Sequence, residues 1–144
     1  MSDRVYEVIA RKGSNVEVTH PRETILAAVT HMNHRKIGAL LVTDGDRPLG
    51  IITERDILER VIAVGAAPDL TPVGEVMTRQ LHTIGPNATV AEAMVMMTDH
   101  CCRHLPVVEG DVILGLLSIG DLTGWMVRDQ ERTIHDLHDF ICHT

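Results

Sequence analysis

At 144 residues with 44% apolar content, the chain can bury one core of ordinary size. Its 13 Lys and Arg stand against 20 Asp and Glu, a net charge of −7 without any basic run, so no nucleic-acid partner is expected. Tyr6, Trp125 and Phe140 are the only aromatic residues, too few for the stacking platforms of single-strand binders, and the core must be aliphatic. There is no run of 18 apolar residues and no charged-then-apolar leader, so a cytoplasmic protein with no membrane partner is expected. Cys101, Cys102 and Cys142, an odd count with two adjacent, make no disulfide framework.

In chain order, Val5, Val8 and Ile9 fall at helical spacing, and the pattern stops near Lys12-Gly13. Val16 and Val18 alternate in a short strand over 15–20, which Pro21 ends. Thr24 is an N-cap for a helix carrying Ile25, Ala28, Val29 and Met32 on one stripe. Residues 39–43 read as a buried strand, Asp44-Gly45-Asp46 as a turn and 49–52 as the hairpin partner. From Thr53 a helix is expected through Ile57, Leu58, Val61 and Ile62 to Gly65. Residues 66–72 are a linker, and 73–77 a short helical lead-in. Next come a strand near 81–84, a helix over 89–97, strands at 104–108 and 113–117 and a helix from Ser118. Beyond Trp125 an extra helix carries Ile134, Leu137 and Ile141.

Two stretches share one grammar. Gly50-Ile51-Ile52-Thr53-Glu54-Arg55-Asp56 is an apolar strand running into a helical turn that carries a hydroxyl and a carboxylate. Gly115-Leu116-Leu117-Ser118-Ile119-Gly120-Asp121 repeats it 65 positions later. At the same offset Pro21 pairs with Pro86, Thr24 with Thr89, Met32 with Met97 and Gly45 with Gly110. That length is too long for a solenoid unit and too short for a comfortable independent domain. The expected fold is α/β (α+β): tandem β-α-β-β-α repeats with pseudo-twofold symmetry, plus the extra C-terminal helix. Its divisions are 1–65 for the lead-in and first repeat, 73–127 for the second repeat and 128–144 for the last helix.

The repeated turn has two readings. Thr53 and Ser118 are good N-caps, and Asp56 and Asp121 stand where a capping box places its acceptor, which needs no ligand. The same turn points backbone N–H groups outward for a phosphate, while its carboxylate suits the vicinal hydroxyls of a ribose. Gly50 and Gly115 would let another group approach the backbone. His34, Arg35, Lys36 and Arg55 in one half, and Arg103 and His104 in the other, supply cations.

On these motifs, with Ile37-Gly38-Ala39-Leu40-Leu41-Val42 and Arg103-His104-Leu105-Pro106-Val107-Val108, the chain resembles a cystathionine-beta-synthase (CBS) domain pair, or Bateman module, along essentially its whole length. The resemblance implies adenine-nucleotide binding (AMP, ATP or NAD(H)) in the cleft between the repeats, with no catalysis and no metal. It implies a homodimer, with the C-terminal helix at or near the contact, and an effector protein reached in trans. Carried over, the ligand roles fall to Ile37, Gly38, Ala39, Thr53, Arg55 and Asp56 in the first site. In the second they fall to Thr83, Arg103, His104, Leu105, Pro106, Ser118 and Asp121. The halves differ: Arg55 matches Gly120, and Arg103-His104 replaces Gly38-Ala39.

Other clusters read more plainly. His135, His138 and Cys142 could face a metal, but they flank the Ile134, Leu137, Ile141 packing stripe and fit a dimer or domain contact better. Cys101 and Cys102 near His104 suggest a nucleophile, yet no orienting third group is apparent, and both read as buried small hydrophobes. Met77, Met94, Met96, Met97 and Met126 read as fillers of the aromatic-poor core. The alternative to a nucleotide sensor is an interaction scaffold whose Thr-x-x-Asp turns are only caps.

Overall fold

The computed structural model describes residues 3–13 and 15–142, the side chain of Cys142 excepted. Its elements are α1 (Val5–Lys12), β1 (Val18–Thr19), α2 (Ile25–Arg35), β2 (Ala39–Asp44), β3 (Arg47–Thr53) and α3 (Glu54–Ile57). They continue with α4 (Val73–Val76), α5 (Val90–His100), β4 (His104–Glu109), β5 (Val112–Ser118) and α6 (Ile119–Cys142). Two packing units result, one of Asn15–His82, the other of residues 3–13 with 83–142. No helix among the described residues is long and apolar enough to cross a membrane.

The duplication is visible in the backbone. Thr24 and Thr89 cap their helices by accepting the amides of Ala27 (3.1 Å) and Glu92 (3.0 Å). Lys36 and Cys101 end those helices in the left-handed region, and Gly45 and Gly110 turn both hairpins at φ 60°. Both hairpins are antiparallel and slip register at matching places, Val42/Thr43 and Val107/Val108.

The packing units do not follow the sequence divisions. In the Asn15–His82 unit, Val73 and Val76 of the lead-in α4 enter a core with Ile25, Leu40 and Ile52. In the other unit, Val5, Val8 and Ile9 of α1 enter a core with Leu105, Val107 and Leu117. Each repeat is thus completed by the lead-in that precedes the other. Burying a Val or Ile side chain contributes about 1.5–3 kcal/mol.

Three local expectations need correction. The strand expected near 81–84 is a single bridge, Ile84 to Val107. In the first unit Leu41 donates its amide to Glu17 and lets β1 pair parallel with β2. The residue 65 positions on is Pro106, which has no N–H to extend the ladder. The helix expected from Thr53 to Gly65 is one α turn followed by a π-helical segment, Leu58–Ile62. Its wider bond from Ala63 N–H to the Leu58 carbonyl (2.9 Å) goes with a fully buried Val61 between exposed Leu58 and Ile62. Finally, the extra C-terminal helix is continuous with the one that starts after Ser118. No Gly or Pro between Trp125 and Cys142 stops it.

Some core assignments also change. Met77 and Met97 are buried and Met94 and Met96 pack partly against the core, but Met126 is exposed. Cys102 is partly buried, whereas Cys101 is exposed, because it is the left-handed cap of α5 and not a strand residue. On α6, Ile134, Leu137 and Ile141 are exposed within the chain.

Candidate functional site

Each repeated turn folds as a capping box. At the first, the Asp56 amide donates to Thr53 Oγ1 at 3.2 Å, and the Thr53 amide donates to Asp56 Oδ2 at 3.0 Å. The other carboxylate oxygen of Asp56 accepts from Thr78 Oγ1 at 3.0 Å and lies 4.0 Å from Arg60 Nε. Asp56 is 6% exposed, the one buried acidic residue among the described residues. Thr78 is held there by two backbone bonds to Ile51 (2.8 and 2.9 Å). The absence of a side chain at Gly50 admits it: a Cβ there would come within 2.5 Å of the Thr78 carbonyl. The group that approaches the glycine is therefore the protein's own chain.

At the second turn the Asp121 amide donates to Ser118 Oγ (3.0 Å), and the Ser118 amide donates to Asp121 Oδ2 (2.8 Å). The further partner is Lys12, the last residue of α1, whose Nζ donates to the same Oδ2 at 2.7 Å and to the Leu116 carbonyl. Gly115 gives room to Ile9, whose Cδ1 would lie 2.8 Å from an added Cβ. Asp121 stays 23% exposed and Lys12 37% exposed, so this carboxylate faces solvent where Asp56 does not. Burial opposes ionisation of Asp121, but the Lys12 hydrogen bond and charge and the Ser118 donors outweigh it and hold its carboxyl below the usual range. Neighbouring His104 is shifted down, first by burial and then by the Lys12 charge, with Asp121 opposing.

Helix-terminal amides are less free for an anion than the sequence suggests. Glu54 N–H donates to the Gly38 carbonyl (3.1 Å) and Ile119 N–H to the Arg103 carbonyl (2.8 Å). With the amides of Asp56 and Asp121 taken by the cap hydroxyls, two of the first three donors of each turn are engaged.

The expected residues gather by repeat. Gly38, Ala39, Thr53 and Asp56 meet where β2 opens against the end of β3, Ala39 pairing with Thr53. Ile37 packs partly against the first core. Arg55 is exposed and pairs with Glu59 at 3.3 Å. Arg103, His104, Ser118 and Asp121 meet in the second unit, where His104 pairs with Ser118. Leu105 and Pro106 are buried there, Leu105 fully, and Thr83 is exposed just before the Ile84 bridge.

Three residues escaped the sequence reading. Thr78 and Lys12 lie 22 and 109 positions from the carboxylates they contact. Their shared place at or near the C-terminal end of a lead-in helix was the available signal. Glu54 was the third: its Oε1 would stand 3.3 Å from a Cβ at Gly38, so the first turn has a second carboxylate where the other repeat has Ile119.

Among the described residues no group of His, Cys, Asp or Glu could hold a metal ion. His135 pairs with Asp139 at 3.2 Å, and the Cys142 side chain of the metal alternative lies outside the described residues. A hollow in the Asn15–His82 unit, lined by Thr19, His20, Glu23 and His31 among others, contains none of the expected ligand residues.

The CBS domain family model matches residues 5–63 and 73–128. The chain belongs to the CBS-domain family. It is 34% identical to the CBS domain-containing protein YhcV of Bacillus subtilis over 109 residues, 76% of this chain and 77% of that one. It is 36% identical over 124 residues to the mitochondrial CBSX3 of Arabidopsis thaliana, covering 83% of this chain and 60% of the plant protein's length. A solved structure described as a signal-transduction protein with CBS domains, from Burkholderia ambifaria, superposes with a TM-score of 0.85 at 35% identity, over 88% of this chain and 96% of that one. The two matched segments coincide with the sequence repeats, so the chain is a CBS pair whose lead-ins are exchanged in packing.

Proposed function

We propose that this CBS pair is a regulatory module that binds an adenine nucleotide (AMP, ATP or NAD(H)) and acts on a partner protein in trans, without catalysis of its own. The observation that carries this reading is the second turn. Asp121 is ionised and partly exposed, with the Lys12 ammonium on it and Arg103 at the same turn, which offers a hydroxyl acceptor next to cations. The first turn supports it less, because Asp56 is buried and already bonded, and Glu54 adds negative charge. Binding alone does not regulate: the nucleotide must favour one of two states of the module.

A homodimer fits this reading. The exposed Ile134, Leu137 and Phe140 of α6 are apolar side chains that a second copy would cover, and a CBS-CP12 protein at 28% identity and TM-score 0.76 is hexameric.

The test is calorimetric titration of nucleotide-stripped protein with AMP, ATP and NADH. Asp121→Ala is expected to weaken binding by about 1.5–3 kcal/mol, the scale of hydrogen bonds to a charged group. The scaffold reading, which the complete bonding of Asp56 favours for the first turn, predicts no binding heat and only a loss of cap stability.

A further inference from the structure

We infer that Lys12 is the specificity-determining residue of the second turn: its ammonium holds the Asp121 carboxylate when no ligand is bound and admits ligands that carry an anionic group over those that do not. The inference rests on the nucleotide reading above and adds a residue from outside the repeated motif. Lys12 Nζ sits 2.7 Å from Asp121 Oδ2, the oxygen that also accepts the Ser118 amide. A ribose diol that engages both oxygens of this carboxylate competes with that ammonium at Oδ2.

The outcome of that competition depends on the ligand. A nucleoside displaces Lys12 and leaves the ammonium with only the Leu116 carbonyl and water. A nucleotide brings a phosphate that gives the ammonium a new partner, reinforced by the neighbouring Arg103 guanidinium. The backbone brings Arg103 and His104 to the same turn: the Arg103 carbonyl accepts the Ile119 amide at 2.8 Å, and His104 pairs with Ser118. The pair is exposed enough to open, with 37% of the Lys12 side chain and 23% of the Asp121 side chain reached by solvent. In the first unit the carboxylate is buried and bonded to the Thr78 hydroxyl, and the nearby Arg60 donates to the Val76 and Met77 carbonyls, so no free ammonium stands there for such an exchange.

The experiment compares AMP with adenosine by calorimetric titration of wild type, Lys12→Met and Lys12→Arg. Lys12 is a surface residue at the end of α1, so both variants should fold, and a thermal melt checks it. In wild type AMP should bind more tightly than adenosine, and in Lys12→Met that preference should narrow about tenfold, with adenosine binding maintained or improved. Lys12→Arg should keep most of the preference. A preference unchanged within about twofold in Lys12→Met overturns this inference and leaves the nucleotide reading standing. Absence of heat with both probes on wild type overturns both.

Discussion

Thr78 donates its hydroxyl to Asp56 at 3.0 Å, and so closes the first Thr-x-x-Asp turn with a residue from the opposite lead-in segment. The buried carboxylate satisfies the Thr53 amide, the Thr78 hydroxyl and the nearby Arg60 at once. Asp56→Ala breaks the capping box and leaves part-buried donors without their acceptor, so stability should fall by about 2–4 kcal/mol. Asp121→Ala, at the half-open turn, should cost about 1 kcal/mol. Urea unfolding of the two variants checks this ordering; equal losses would contradict the assignment of Asp56 to the core.

The two close-approach glycines differ in what stands opposite them. At Gly50 the obstacle is the backbone carbonyl of Thr78, which cannot rotate away, whereas at Gly115 it is the end of the Ile9 side chain. Gly50→Ala should therefore destabilise the protein by about 1–3 kcal/mol, and Gly115→Ala by clearly less. Thermal melts of the two single variants separate them, and a milder effect at Gly50 would contradict the packing.

His104 gives the protein a pH dependence of known sign. Its protonation is disfavoured in the fold by burial and by Lys12, so below the ordinary imidazole value of 6.5 the unfolded chain binds the proton more readily. Stability is complete above that value and declines as pH falls through the lower folded value. Asp121, also depressed, adds a second decline starting near its ordinary 3.8. Urea midpoints between pH 7 and 5 should fall for wild type and flatten for His104→Gln; an unchanged slope in the variant would assign the effect elsewhere.

Most of the architecture was legible because it is written in local signals. Thr24, Thr89, Thr53 and Ser118 cap as their positions indicate, and Gly45 and Gly110 take the positive φ of their turns. The missing strand was legible too, though only by aligning Pro106 with Leu41 and asking which amide extends the ladder. What the sequence hid is the exchange of lead-ins. Lys12 and Thr78 reach their carboxylates through packing of α1 and α4, and hydrophobic periodicity in a short helix does not say which core will take it. The difference between a buried Asp56 and an accessible Asp121 therefore appears only in three dimensions.

Recognition of an adenine nucleotide through the second turn is tested most directly by thermal unfolding. Nucleotide-stripped wild type and Asp121→Asn would each be melted with AMP, ADP, ATP, NAD and NADH. A ligand at 100 times its dissociation constant adds about 2.7 kcal/mol, a rise of several degrees for a chain of this size. A selective rise in wild type that is lost in Asp121→Asn is the predicted result. No rise with any of the five, or a rise that survives the substitution intact, would contradict it.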